Sequence, residues 1–150
     1  MYQTWQNKAN LYALSEALRT TGGKPLATQT LPGPTGELNQ LRLVPRDPIL
    51  CLGPGEVAQA AQIDLVRAIG GQAIGSEGHL NPDDLTHLSN VSGVIYWGED
   101  PRPIALALAN RAGPIVPLIL DTPDIAHAHH ERHLCIDTTA AGGNAALLAG

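Results

Sequence analysis

Residues 49–74 read ILCLGPGEVAQAAQIDLVRAIGGQAI, and this stretch decides the fold. The short apolar run from Ile49 to Leu52 is typical of a buried strand. Gly53-Pro54-Gly55 then leads into an alanine-rich segment, Glu56 to Ile69, which predicts a helix that ends at Gly70-Gly71. Gln72 to Ile74 predicts a second strand. A strand, a helix and a strand in this order indicate a right-handed βαβ unit of a parallel sheet.

The same alternation continues downstream. Residues 81–88 begin with Asn-Pro-Asp-Asp, which predicts a short helix because Asn caps it, Pro suits its first position and acids favour its positive end. Strands are predicted at Val94–Trp97 and Ile115–Leu120, with a helix that starts at Asp100-Pro101 between them. A further strand is predicted from Arg132 to Asp137. We therefore predict an α/β fold: a Rossmann-like, mostly parallel sheet with helices on both faces.

Three further segments surround this domain. The spacing of leucines beside Trp5 predicts an amphipathic helix from Trp5 to Leu18. Pro25 to Gly36 is rich in Pro, Gly and Thr and predicts an extended linker, and the alternation from Leu38 to Val44 predicts an edge strand or flap. The predicted organisation is an N-terminal helix in 1–23, a linker and flap strand in 24–46, a Rossmann-like domain in 47–137 and an apolar tail in 138–150.

Composition narrows the function classes. The chain has 150 residues, which is enough for one core of ordinary size. A net charge of −5 and an aromatic content of 3% with no Phe argue against a nucleic-acid partner, because such proteins need a basic surface and stacking rings. Only 15% of the residues are charged, against about 25% in a typical soluble domain. Two Cys in apolar runs and no opening signal peptide predict a cytoplasmic setting.

Gly53-Pro54-Gly55-Glu56-Val57-Ala58 follows a predicted strand and opens a predicted helix, as the dinucleotide-binding pattern does. Glu77 lies at about the distance, roughly 20 residues, at which that pattern places its ribose-binding acid. However, Pro54 removes a backbone donor and Glu56 places a negative charge where a pyrophosphate would lie. We therefore expect a tight turn without a cofactor, and Gly53, Gly55 and Glu77 remain an alternative cofactor set.

Four histidines crowd into the segment before the final strand: His127, His129, His130 and His133. Their spacing matches no common zinc motif, so we expect a solvated loop without a metal and keep a metal site at these residues as the alternative. Cys51 and Cys135 lie in apolar runs and are expected to be buried, with His133 as a possible base for Cys135. No set of residues predicts a catalytic site.

Two stretches resemble a known family. Leu31 to Asn39 reads LPGPTGELN and precedes Pro45-Arg46, while Ile136 to Ala145 reads IDTTAAGGNA. Both resemble the C-terminal region of proline utilization A, a fused bacterial enzyme that joins an FAD-dependent proline dehydrogenase to an NAD-dependent glutamate-semialdehyde dehydrogenase. The resembling residues are Pro32, Gly33, Pro34, Thr35, Gly36, Glu37 and Asn39 in the linker, and Asp137, Thr138, Thr139, Ala140, Ala141, Gly142, Gly143 and Asn144 before the end.

The resemblance implies a non-catalytic C-terminal domain that is similar to the nucleotide-binding domain of aldehyde dehydrogenases. It implies that the domain covers the cavity through which the intermediate passes, and that the motif from Asp137 docks on the dehydrogenase modules of its own chain or a second subunit. FAD and NAD would belong to the parent enzyme, as would any membrane association. No residue here corresponds to the parent's catalytic Cys or its FAD site.

Two other functions remain open at this point. The first is an independent NAD(P)-binding Rossmann enzyme. The second is a self-association module in which Leu38 to Val44 adds to the sheet edge of a neighbour.

Overall fold

A computed structural model describes residues 4–137 of the chain. It divides into two compact units. Of the described residues, the first unit combines 4–23 with Arg46–His129, and the second combines Lys24–Pro45 with 130–137. The predicted tail at 138–150 lies outside the described residues.

The first unit is built on a four-stranded parallel sheet. Its strands are β3 (Ile49–Cys51), β4 (Ala73–Gly75), β5 (Gly93–Ile95) and β6 (Leu118–Ile119), in the order β4-β3-β5-β6. Cys51 pairs with Gly75 on one side and with Ile95 on the other. All neighbours are parallel, as the βαβ pattern predicts. The α/β fold with a mostly parallel sheet is confirmed.

Helices cover both faces of this sheet. They are α1 (Leu11–Thr20), α2 (Gly55–Ala68), a 3-10 helix (Pro82–Thr86), α3 (Arg102–Ala109) and α4 (Ile125–Ala128). Leu50 and Val94 pack in a core with leucines of α1, the 3-10 helix and α3, whereas Cys51 and Ile95 pack with Val66 of α2. Successive residues of a strand point to opposite faces, so each short strand supplies both cores.

The second unit contains a three-stranded sheet in the order β1-β2-β7, formed by β1 (Ala27–Leu31), β2 (Glu37–Pro45) and β7 (His129–Asp137). β1 and β2 are antiparallel, with Leu31 opposite Asn39. The turn between them contains Gly36 at φ 90, a backbone conformation that glycine adopts without steric cost. Most side chains of this unit are exposed or half-buried.

Several sequence predictions are wrong in detail. The first helix begins at Leu11 rather than Trp5, because the Asn10 side chain accepts the Ala13 amide and caps it there. The predicted linker contains β1, and β2 is a central strand rather than an edge strand. Asn81 makes no side-chain capping bond, and the short helix that it precedes is a 3-10 helix.

The final strand also differs from the prediction. β7 pairs in the three-stranded sheet and does not extend the parallel one. Because β1 and β7 flank β2, the segment from Leu38 to Val44 presents no free edge to a neighbour's sheet, and the predicted mode of self-association through that strand is wrong. Within residues 4–137, every helix is too short or too polar to cross a bilayer.

Candidate functional site

The carboxyl edge of the parallel sheet is the candidate site. From β3 the chain passes through α2 to β4 on one side, and it then crosses to β5 on the other side. The strand order therefore reverses between β3 and β5. Open α/β sheets bind their ligands at such a reversal, outside the carboxyl ends of the strands. The Gly53 loop and Tyr96-Trp97 follow these two strands directly.

The amide and the carbonyl of Gly53 are both hydrogen-bonded to other groups of the protein. Gln62 is fully buried in α2; its Oε1 accepts the Gly53 amide at 2.9 Å and its Nε2 donates to the Gly53 carbonyl at 2.8 Å. The same carbonyl accepts the Trp97 amide at 2.9 Å. Gly53 has φ +84, where a side chain would be strained and would meet the Gly55 backbone. This loop is therefore built for a tight turn, and its first amide is not free for a phosphate.

The start of α2 is also a poor anion site. Pro54 precedes the helix and carries no backbone N–H, and Glu56 places a carboxylate in the first turn. Glu77, the ribose-binding acid of the alternative cofactor set, is exposed and has φ 53. Its backbone amide donates a hydrogen bond to Gln59 Oε1 at 2.9 Å. The structure thus brings Gly53, Gly55 and Glu77 to the same sheet edge, where the amides of Gly53 and Glu77 are already bonded within the protein.

An N-terminal arm, residues 4–9, crosses this edge. The Trp5 indole donates from Nε1 to the Leu52 carbonyl at 3.0 Å, and Asn7 Nδ2 donates to the Glu77 carbonyl at 3.0 Å. The His79 amide donates to the Asn7 carbonyl at 2.8 Å, and the Ala9 amide donates to the His79 carbonyl at 2.9 Å. The arm binds the loops after β3 and β4 through both backbone and side chains.

Sequence reasoning missed this arm because Trp5 fits the apolar spacing of the following helix. Gly78 is the sequence signal that could have indicated the arm. A Cβ at Gly78 would lie 2.6 Å from the Ala9 nitrogen and 2.6 Å from the Lys8 carbonyl carbon, so only glycine permits this close backbone approach. A glycine without a turn function indicates that another backbone lies against it.

Both cysteines are poor nucleophiles. Burial raises the pKa of the Cys51 thiol to about 12. Cys135 is exposed rather than buried, and its Sγ lies 2.9 Å from Glu37 Oε1. This hydrogen bond, followed by desolvation and the charges of Glu37 and Asp137, raises the pKa of Cys135. The thiol is hydrogen-bonded to a carboxylate, which disfavours the reactive thiolate, and this contact does not support the alternative of His133 as its base.

This contact predicts a pH-dependent thiol reactivity. Glu37→Gln removes the negative charge beside Cys135, so the thiol pKa should fall and alkylation by iodoacetamide at about pH 8 should accelerate roughly threefold. The control Glu131→Gln removes an exposed carboxylate from the same strand and should leave the rate unchanged. Cys51 should react only after unfolding. Equal rates in the two variants would contradict the assignment.

Two of the four clustered histidines, His127 and His129, belong to the first unit and form hydrogen bonds within the protein. His127 Nδ1 accepts the Asp124 amide at 3.0 Å, while Asp124 caps α4 through its own side chain. His129 is buried, and its Nε2 donates to the Gly70 carbonyl at 3.1 Å. These two rings therefore order the α4 region.

The histidines of the second unit lie on β7. His130 Nε2 accepts from Arg132 Nε at 2.9 Å, and His133 is exposed. No three His, Cys, Asp or Glu side chains between residues 4 and 137 could together hold a metal ion. The alternative of a metal site at the four histidines is not supported by this geometry.

The residues that carry the family resemblance are only partly described. Pro32 to Gly36 form the turn between β1 and β2, Glu37 begins β2, and Asn39 lies on β2 with its Nδ2 against Gly33. Asp137 ends β7. The remaining predicted docking residues, 138–144, lie outside the described residues.

Comparison with known proteins gives a consistent result. No protein-family model matches the chain. It is 32% identical over 147 residues to the bifunctional protein PutA of Salmonella typhimurium and 32% identical over 153 residues to that of Escherichia coli, with 79% of this chain covered in each case. The chain spans only 11% of the length of these relatives.

Two crystal structures give weaker matches. One is of bifunctional proline utilization A and the other is of a Bradyrhizobium japonicum PutA mutant, with identities of 22% and 23%. Each match covers 72% of this chain and 14% of the solved chain, with a TM-score of 0.41.

Proposed function

Since this chain is a PutA-related domain, we propose that it is a non-catalytic C-terminal domain of a longer, cytoplasmic enzyme that oxidises proline to glutamate. The similarity to bifunctional PutA over 79% of the chain carries this proposal. The catalytic modules, with their FAD and NAD, would lie elsewhere in the complete protein. The domain is proposed to share the fold of the aldehyde dehydrogenase nucleotide-binding domain without its ligand.

The absence of catalysis is supported by the chemistry of the carboxyl edge. Gln62 forms hydrogen bonds with both the amide and the carbonyl of Gly53, and Pro54 has no backbone N–H. The arm covers the loops after β3 and β4. The thiols of Cys51 and Cys135 both have raised pKa values, so neither supplies a ready nucleophile near neutral pH.

The proposed role is to cover the passage between the two active sites. Excluding water from such a passage would keep a reactive semialdehyde intermediate from escaping into solvent. Residues 138–150 are nearly uncharged, small and apolar, and they suit a docking peptide because small residues let the backbone lie close against another surface. The dehydrogenase modules of the same chain or of a second subunit are the proposed surfaces.

Titration with NADH tests the non-catalytic assignment. We expect no saturable heat when NADH is added to this chain in a calorimeter, up to about 1 mM. A variant without residues 1–9 lacks the arm and is titrated for comparison with the intact chain. This deletion removes the Trp5 contact to Leu52 and leaves Gln62 in place. Saturable binding to the intact chain would support the alternative of an independent nucleotide-binding enzyme.

The docking role has its own experiment. Residues 138–150 are removed from the complete protein that carries this chain, and the two half-reactions are then measured separately. A docking segment for the aldehyde dehydrogenase module should affect the second half-reaction and leave proline oxidation nearly unchanged.

A further inference from the structure

A cavity of about 300 Å³ lies between the arm and the carboxyl edge of the parallel sheet. Trp5 and Tyr96 supply aromatic walls, and Asp100 supplies a carboxylate. Ile104 and Leu52 add aliphatic surface. Ligand pockets usually have volumes of about 300–1,000 Å³, so this cavity is suited to a small molecule.

The surface that lines the cavity is mostly apolar. The polar atom of the Trp5 ring, Nε1, is already bonded to the Leu52 carbonyl at 3.0 Å. Tyr96 is half-buried and follows β5. The faces of aromatic rings carry a negative quadrupole and attract organic cations that lie within about 6 Å of the ring centre.

The charge around the cavity is negative. Asp100 lies on its wall, and Glu99 lines an adjoining cleft that shares Tyr96 and Asp100. Among the described residues that line either space, none is Lys or Arg, and His79 is the one histidine. Burial, and then the charges of Asp100 and Glu99, raise the pKa of the Tyr96 phenol, which is consistent with a negative potential at this wall.

Arg102 pairs with Asp100 through two hydrogen bonds, from Nε to Oδ1 at 2.8 Å and from Nη2 to Oδ2 at 3.0 Å. The two groups lie 2.8 Å apart, and their side chains are 85% and 50% exposed, so the pair is open to solvent. Exposed ion pairs of this kind are weak because water and salt screen them, so a cation in the cavity can compete with Arg102 for the carboxylate. Together with Glu99, these residues still carry a net negative charge.

Donors for an anion are scarce at the same place. Pro54, Pro82 and Pro103 all line the cavity, and none of them has a backbone N–H. Pro54 is the residue before α2 and Pro103 is the second residue of α3, so neither position offers a backbone N–H to an anion. Among the described residues that line the cavity, Asp100 is the one carboxylate and His79 the one basic side chain.

We propose that this cavity binds a small organic ammonium ion, held against Trp5 and Tyr96 and paired with Asp100. The small volume of the cavity, and the arm that lies across this edge of the sheet, favour a compact head group over a peptide side chain on a large partner. This site is independent of the proposed function, because it requires neither the tail nor a dehydrogenase module.

The test is a titration of this chain with choline chloride, followed through the indole N–H resonance of Trp5 in a ¹⁵N spectrum. At about pH 8, where histidine is ordinarily neutral, we expect a saturable shift with a dissociation constant near roughly 1 mM. The neutral carbon isostere of choline, 3,3-dimethylbutan-1-ol, should shift the resonance weakly or not at all. Sodium chloride at the same ionic strength gives the baseline.

Two charge variants complete the experiment. Asp100→Asn keeps an oxygen that can accept the Arg102 amide but removes the charge, and it should weaken choline binding about fivefold. The control Asp64→Asn removes an exposed charge on α2 and should leave binding unchanged. Equal binding of the neutral isostere, equal affinities of the two variants, or no saturable shift with choline would each overturn the proposal.

Discussion

Gly78→Ala should release the N-terminal arm and destabilise the first unit by about 1–3 kcal/mol. The new methyl group would lie 2.6 Å from the Ala9 nitrogen and 2.8 Å from the Lys8 oxygen, which are backbone atoms that cannot rotate away as a side chain can. The arm must shift, and the bonds of His79 to Asn7 and Ala9 should lengthen or break. Chemical unfolding of the purified chain measures the loss.

A second readout reports on the arm itself. The Trp5 indole N–H donates to the Leu52 carbonyl, so its hydrogen exchange should be slow in the native chain and faster in Gly78→Ala. Gly22→Ala is the matched control, because a Cβ at Gly22 has nothing within 4 Å. It should change neither stability nor exchange. If Gly78→Ala behaves like this control, the arm does not lie where the structure places it.

The parallel sheet could be predicted from the sequence because its signals are local. Ile49 to Leu52 is an apolar run beside glycine, and the helix that follows ends at Gly70-Gly71. Hydrophobic periodicity and turn residues are enough to locate such elements, although their ends shift by a few residues.

Contacts between distant residues could not be predicted in this way. The bonds of Gln62 to Gly53 span nine positions, and the bond of Trp5 to Leu52 spans 47. Trp5 matches the apolar spacing of the helix that follows it. Its hydrogen bond to Leu52 nevertheless places it in the arm rather than in that helix. β7 pairs with β2 across a long stretch of intervening chain, and the hydrophobic periodicity within a strand does not indicate its partner.

The candidate site was predictable only in part. The order of strand, glycine loop and helix offered Gly53, Gly55 and Glu77 as an alternative cofactor set, while Pro54 and Glu56 favoured a tight turn without a cofactor. The spacing could not reveal that a buried Gln62 bonds both polar groups of Gly53, or that aromatic and acidic residues from distant segments share one cavity.

The other large effect concerns residues 138–150. Their composition of small, uncharged residues predicts that a single charge would disturb docking, so Ala141→Glu in the complete protein should act like their deletion. Ala109→Glu, which places the same charge on the exposed surface of α3, is the matched control and should retain activity. Comparing a substitution with a deletion separates loss of docking from loss of a folded protein.

The most direct test of the proposed function is the coupled conversion of proline to glutamate by the complete protein without residues 138–150. We expect proline oxidation to continue, while NAD-dependent oxidation of the semialdehyde falls about tenfold or more and the coupled reaction develops a lag as the intermediate escapes. Unchanged coupled turnover with no lag would contradict the assignment of this domain as a docked cover.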